Sequence, residues 1–202
     1  MFKYFLHSAL LLDGKILIDP HDGVSIGLPK IQAKPELVLV THNHYDHNAC
    51  ELFNAKCMIF AESVDYSGYN VRGVLTYHDK KKGKERGKNM VYIITTPDGR
   101  KIVHMGDLGH DLKDEQVKEL KGADLLAIPV GGVITIGADE ALNLINRISP
   151  KNVLPIHYWV KGHYMPIDPI DDVLKKVDGW KITNLDSNEI DEKSYSSTVF
   201  IA

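Results

Sequence analysis

The sequence predicts an α/β fold in which two β-sheets pack face to face and helices cover the outside. Three observations predict it. The N-terminal part reads as short apolar runs separated by turn residues, the remainder alternates apolar runs with helical patterns, and each helical pattern is apolar along one side only. A helix with one apolar stripe needs a sheet beneath it, and stacking two sheets with helices outside gives every such face a partner. No linker divides the 202 residues, so one domain over 1–202 is expected.

Taken in order, residues 2 to 18 are short strands broken by Asp13-Gly14, and Asp19-Pro20 ends them because proline cannot donate to a ladder. Residues 21 to 36, with Gly23, Gly27, Pro29 and Pro35, are loop. Leu37-Val38-Leu39-Val40 is a buried strand, followed by a short helix at Asn48 to Phe53 and strands at Cys57 to Ala61 and Gly73 to Tyr77. Residues 79 to 88 form a basic loop broken by glycines, and Pro97-Asp98-Gly99 turns a hairpin between Val91–Thr96 and Lys101–His104. A helix at Lys113 to Lys121 stops at Gly122, and the apolar strand Leu125 to Pro129 follows. Residues 138 to 148 are helical with Ala141, Leu142, Ile145 and Ile148 on one face, and Val153 to Ile156 is the next strand. Asp168-Pro169 opens a last helix, Asp as its cap and Pro in its first turn, with Ile170, Val173, Leu174 and Val177 on the apolar side. Strands at 180 to 183 and 198 to 201 finish the chain.

The composition, 44% hydrophobic and 25% charged, is that of a soluble globular protein. A formal net charge of −3 gives no electrostatic reason for a nucleic-acid or membrane partner, and no apolar window reaches transmembrane length. The start, Met1 to Leu12, has a basic residue before an apolar stretch, but His7 and Ser8 interrupt it and Asp13-Gly14 turns the chain, so a strand hairpin is expected rather than a signal peptide. Cys50 and Cys57 show neither a CxxC spacing nor a disulfide framework. Both are therefore expected as reduced thiols, and the protein as cytoplasmic.

The chemistry concentrates directly after the strand 37 to 40, in Thr41-His42-Asn43-His44-Tyr45-Asp46-His47. His42, His44 and Asp46 are spaced by two, so in an extended turn they point the same way, whereas His47 must face elsewhere. One cation cannot easily take all four, but two neighbouring cations can, and further ligands must then come from other strand ends. Polar residues placed directly after later apolar strands are His78, Asp107 and His157.

The order HxHxDH, then a lone His, then Gly-Asp, then a terminal Pro-x-His resembles the metallo-β-lactamase-fold superfamily of metal-dependent hydrolases, from Asp19-Pro20 through His157-Tyr158. Gly106-Asp107-Leu108-Gly109-His110 and Pro129-Val130-Gly131-Gly132 are similar to its branch near L-ascorbate 6-phosphate lactonase and the phospholipase D that acts on N-acyl-phosphatidylethanolamine. The resemblance implies a four-layer αββα sandwich of two mixed sheets. It also implies His42, His44 and His78 on one metal, Asp46, His47 and His157 on a second, and Asp107 bridging them. Two divalent ions are implied, zinc first, with manganese or iron also suited to mixed imidazole and oxygen ligands. With Asp46, Asp107 and a hydroxide, such a cluster carries a net charge of about +1 and favours an anionic substrate.

The function implied is hydrolysis, by a metal-bound hydroxide, of a small anionic ester, lactone or phosphoester, with catalytic Asp46 relaying a proton to the leaving group. An RNA nuclease of the tRNase Z type is the alternative, although Asp79 rather than serine follows His78 and no RNA-binding arm is visible; a non-hydrolytic metal-dependent binding protein or sensor is another. Around the ligands, His7 and His104 are expected on strands as buried, hydrogen-bonded neighbours, with Asp19 orienting a ligand histidine. Arg86, His110 and His163 are expected against substrate, Arg86 because its fork binds phosphate or carboxylate bidentately. His21 gives no signal. The expected partner is a small molecule, with no nucleic acid and no membrane span, and a homo-oligomer could complete an open pocket.

Overall fold

Apolar runs become strands and the charged, glycine-broken stretches become turns throughout residues 1–185 and 187–202, which the computed structural model describes. In chain order the elements are β1 (Phe2–Tyr4), β2 (Leu10–Leu12), β3 (Ile16–Ile18), β4 (Leu37–Val40), β5 (Lys56–Ile59), β6 (Ser63–Tyr66), β7 (Tyr69–Tyr77), β8 (Lys88–Thr95), β9 (Lys101–His104), α1 (Asp114–Leu120), β10 (Leu125–Pro129), α2 (Ala138–Ile148), β11 (Asn152–Ile156), α3 (Asp171–Lys176), β12 (Lys181–Asn184), β13 (Glu189–Ile190) and β14 (Thr198–Ile201). They form a 6-stranded sheet, β13-β1-β2-β3-β4-β5, and an 8-stranded sheet, β12-β14-β11-β10-β9-β8-β7-β6. Both are mixed. The first turns parallel at β3-β4-β5, and the second is parallel from β9 to β12 and antiparallel from β6 to β9.

Alternation along the strands sorts the side chains into layers. On β8, Met90, Tyr92 and Ile94 face the core between the sheets, where they meet Leu10, Leu12, Ile16, Ile18, Leu37 and Leu39 of the first sheet. Val91 and Ile93 point the other way, into a second core shared with Val117 and Leu120 of α1 and Ala141, Leu144, Ile145 and Ile148 of α2. The first sheet's outer face, Leu11, Leu17, Val38 and Val40, is covered by Ile31, Ala33, Cys50 and Phe53, which lie in loops and a 3-10 turn at Cys50–Leu52. The fold is thus the expected α/β sandwich of two mixed sheets, with its α-helices over the second sheet and a thinner cover over the first.

Several sequence expectations need correction. The helix placed at Asn48 to Phe53 is only the 3-10 turn Cys50–Leu52, and α3 begins at Asp171 instead of after Asp168. The Asp168 backbone is occupied elsewhere, accepting from Trp159 N–H at 2.9 Å and donating to the Gly131 carbonyl at 2.7 Å. On α2 the fully buried leucine is Leu144, with Leu142 only partly covered. His7 lies on no strand: with Leu6 it forms the β1–β2 turn, both with left-handed backbone, at φ 66 for Leu6 and 52 for His7. Cys50 and Cys57 are joined in a disulfide, because the 3-10 turn folds the chain back so that the two residues meet at the start of β5. The thiol-based argument for a cytoplasmic location therefore falls. No helix among the described residues is long and apolar enough to cross a membrane.

Candidate metal centre

Every donor the sequence singles out sits just past a strand or at a turn on one rim of the sandwich. β4 delivers Thr41 to His47, β7 delivers His78, β9 leads through Met105-Gly106 to Asp107, and β11 delivers His157. Cross-sheet hydrogen bonds hold this rim together. Met90 N–H donates to the Thr41 carbonyl at 2.9 Å, His157 N–H to the His7 carbonyl at 2.6 Å, and the Tyr92 hydroxyl to the Val40 carbonyl at 2.8 Å. The glycines of the two familiar phrases permit close approach. A Cβ at Gly109 would overlap the backbone of His78 and Asp79, and one at Gly131 would overlap the His157 carbonyl.

The donors converge as two groups. Ring nitrogens of His42, His44 and His78, one from each, lie within 4.8 Å of one another, and so do ring nitrogens of His7, His47 and His157 with a carboxylate oxygen of Asp46. Asp107 lies between: its Oδ2 is 3.6 Å from His42 Nε2, 3.1 Å from His78 Nε2, 3.3 Å from His47 Nε2 and 3.0 Å from His157 Nε2. One carboxylate thus touches members of both groups. Asp19, which also stands near His42 and His47, has its oxygens committed instead to Thr41, accepting from the backbone N–H at 2.7 Å and from the hydroxyl at 2.6 Å.

Protonation follows from these bonds. The Thr41 hydroxyl has one proton and gives it to the Asp19 carboxylate, so at its 2.9 Å contact with His42 Nδ1 it must accept. The His42 proton is therefore on Nδ1, and Nε2 presents its lone pair toward Asp107. On the other side Asp19 Oδ2 stands 3.2 Å from His47 Nδ1, beside the ring it is expected to orient.

The arrangement fits divalent cations. His42 Nε2, His157 Nε2 and both Asp107 oxygens are buried and lack a hydrogen bond, although nitrogens and carboxylate lie close together. A buried carboxylate so placed is costly unless positive charge sits beside it. Burial opposes ionisation of Asp107, yet His157, His47 and His42 hold it well below the usual carboxylate range. Burial likewise opposes charge on Asp46, yet neighbouring His47 and a hydrogen bond from His7 keep it ionised below that range. Burial alone would lower His47, but the Asp107 and Asp46 carboxylates outweigh it and raise His47 well above an ordinary imidazole. His42 is lowered by burial and by His47, as a neutral ligand should be. The pocket calls for cationic charge next to Asp46, His47 and Asp107.

The flanking residues divide. His104 donates from Nε2 to the Ser8 carbonyl at 2.8 Å and accepts Gly106 N–H on Nδ1 at 3.2 Å, fixing the neighbours of His7 and Asp107 as a buried support. His163 is buried with both ring nitrogens unpaired and packs on His7 at a ring separation of 5.1 Å; burial, then His157, pushes it down to about 4, so it is neutral at pH 7. Arg86 lines a cleft of 530 Å³ that opens beside His78. His110 is a correction: Nε2 accepts Tyr77 N–H at 3.1 Å and Nδ1 donates to the Asp111 carbonyl at 2.6 Å, so both nitrogens serve the backbone and neither is free for substrate.

Sequence reasoning missed three residues. Asn89, fully buried on β8, accepts Asp107 N–H at 3.0 Å and donates to Thr76 Oγ1 and the Met105 carbonyl, both at 2.9 Å. An Asn in an apolar strand was the available signal. Thr41 sets the His42 tautomer, and Asp79 accepts four backbone N–H groups, from Lys81, Gly83, Glu85 and Arg86, giving the basic loop its shape. That nest holds the Asp79 carboxyl down at about 2 against its burial.

A two-sheet α/β sandwich with imidazole and carboxylate donors gathered at its strand ends defines the class of metal-dependent hydrolases built on the metallo-β-lactamase fold. Residues 1–157 match the beta-lactamase superfamily domain. A UPF0173 metal-dependent hydrolase of Pyrococcus abyssi is 31% identical over 214 aligned residues, covering 89% of this chain and 92% of that protein. The chain belongs to this superfamily, in the family of metal-dependent hydrolases that contains the Pyrococcus protein. A Thermotoga maritima structure of the same superfamily has a TM-score of 0.74 and 31% identity, covering 98% of this chain and 96% of that one. Human tRNase Z, short form, shares the fold at a TM-score of 0.53 and 16% identity, over 75% of this chain and 85% of its own.

Proposed function

We propose that the chain is a dinuclear hydrolase of small anionic esters, lactones or phosphoesters. The observation that carries this is the position of Asp107 Oδ2, within 3.0 to 3.6 Å of histidines from both donor groups. His42, His44 and His78 would hold one divalent ion, Asp46, His47 and His157 the other, with Asp107 between; zinc suits the donors best, then manganese or iron. When bound, such ions make hydroxide available from water at neutral pH and polarise the oxygen of the scissile group.

The protein's own residues supply the rest. Asp46, ionised in the resting site, takes up the proton released as water adds and returns it to the leaving group, regaining its charge. Neutral His163 offers a hydrogen bond toward the same space. The 530 Å³ cleft beside His78 receives the substrate. Of its cationic lining groups, Lys80 pairs with Glu140 at 2.7 Å and Lys81 with Glu85 at 2.5 Å, while Arg86 has no carboxylate partner among the described residues. Arg86 is therefore the anchor for a substrate phosphate or carboxylate.

Purified protein reconstituted with zinc or manganese is expected to bind about two ions per chain and to turn over generic phosphodiester or lactone substrates. Fewer than about one ion per chain after reconstitution would overturn the proposal. Arg86→Ala is expected to raise KM for an anionic ester while leaving KM for its neutral analogue unchanged; equal effects on both would remove Arg86 from the substrate site.

A further inference from the structure

We infer that His7 is a direct ligand of the second metal position, completing a four-donor set with Asp46, His47 and His157. This rests on the dinuclear reading above and changes the character of the pair. His7 Nε2 stands 3.1 Å from Asp46 Oδ2 and 3.1 Å from His47 Nε2, and the latter two are 3.4 Å apart. Donors about 2.0–2.1 Å from one tetrahedral ion lie about 3.3 Å from each other, so these three atoms already have the spacing of one face of a coordination tetrahedron. His157 brings its donor into the same group.

The backbone is shaped to aim this side chain. Leu6 and His7 both adopt left-handed conformations, φ 66 and 52, which non-glycine residues seldom take without a structural reason. The turn is held by the His7 carbonyl, which accepts His157 N–H at 2.6 Å and the Tyr4 hydroxyl at 3.0 Å. His7 Nδ1 is buried and unpaired, and its ring packs on His157 and His163 at centroid separations of 4.4 and 5.1 Å. Two Nε2 atoms facing each other across 3.1 Å share either a proton or a cation, and the Asp46 and Asp107 carboxylates beside them favour the cation.

The two positions then differ. The second, with His7, Asp46, His47 and His157 besides Asp107, has little room for a further ligand. The first, with His42, His44 and His78, adjoins the 530 Å³ cleft through His78, so substrate meets the protein on that side.

The deciding measurement is nitrogen-15 histidine NMR of the full chain loaded with cadmium-113. Scalar coupling from one cadmium resonance to His7 Nε2, shared with His47 and His157, is expected. Coupling to His47 and His157 without His7 would overturn the inference and leave the dinuclear reading intact, whereas no histidine coupling at all would defeat both. As a second arm, His7→Gln is expected to keep one ion and to bind the other at least about tenfold more weakly; unchanged affinity for both, in a variant with the wild-type circular dichroism spectrum, would also overturn it.

Discussion

Asp19 is fully buried beside two of the candidate ligands and bears on both at once. Its oxygens take both Thr41 protons, which sends the His42 proton to Nδ1, and Oδ2 stands beside His47 Nδ1. Removing a carboxylate that orients a metal-bound histidine costs about 10–100-fold in metal affinity. Asp19→Ala is accordingly expected to weaken metal binding by that factor in a chelator competition, and an unchanged affinity would mean that backbone geometry alone aims His42 and His47. At this scale the sequence was readable where a polar residue directly followed an apolar run, as with His78, Asp107 and His157. Thr41 and the role of Asn89 escaped because the partners that give them meaning, Asp19 and Asp107, lie far off in the sequence, although an Asn in an apolar strand was a signal in itself.

Among the elements, the loop after β7 is organised by one side chain, Asp79, which gathers the N–H groups of Lys81, Gly83, Glu85 and Arg86. Asp79→Ala leaves those donors without their acceptor, so cleavage by trypsin within residues 80–88 should become faster while cleavage elsewhere stays unchanged. Equal protection in both proteins would show that the loop keeps its path without Asp79. Elements whose apolar pattern is long and bounded could be placed from the sequence alone: β10 at Leu125–Pro129, α2 at Ala138–Ile148 and β14 at Thr198–Ile201 all fall where the pattern put them. The start of α3 did not, because the Asp168 backbone is captured by Trp159 and Gly131, residues distant in sequence. The β1–β2 turn and the Cys50–Cys57 disulfide also depend on chain neighbours that periodicity does not encode.

Across the whole molecule, the donor groups draw on both sheets: Asp46 and His47 follow β4 of the first, while His78, Asp107 and His157 follow strands of the second. A cation at either position therefore ties one sheet to the other at their shared rim. A ligand present at 100 times its Kd stabilises the native state by about 2.7 kcal/mol, and for a chain of this size that corresponds to a Tm shift of about 5–10 °C. Stripping the metal with a chelator is expected to lower Tm by at least that much. A melting curve indifferent to chelation would mean that the rim is closed by its hydrogen bonds alone.

The nest around Asp79 also bears on how substrate preference can drift. Because the carboxylate grips main-chain N–H groups and no side chains, the path of the loop is indifferent to the identity of most residues along it. Exchanges at Lys80, Lys81, Lys82, Lys84, Glu85 and Arg86 are therefore expected to leave the loop's course unchanged, while the histidines beneath stay where β7 and β11 put them. If the loop meets substrate as proposed, the histidines form a fixed floor beneath a rewritable rim, and charge changes at a handful of loop codons would alter which molecules are accepted.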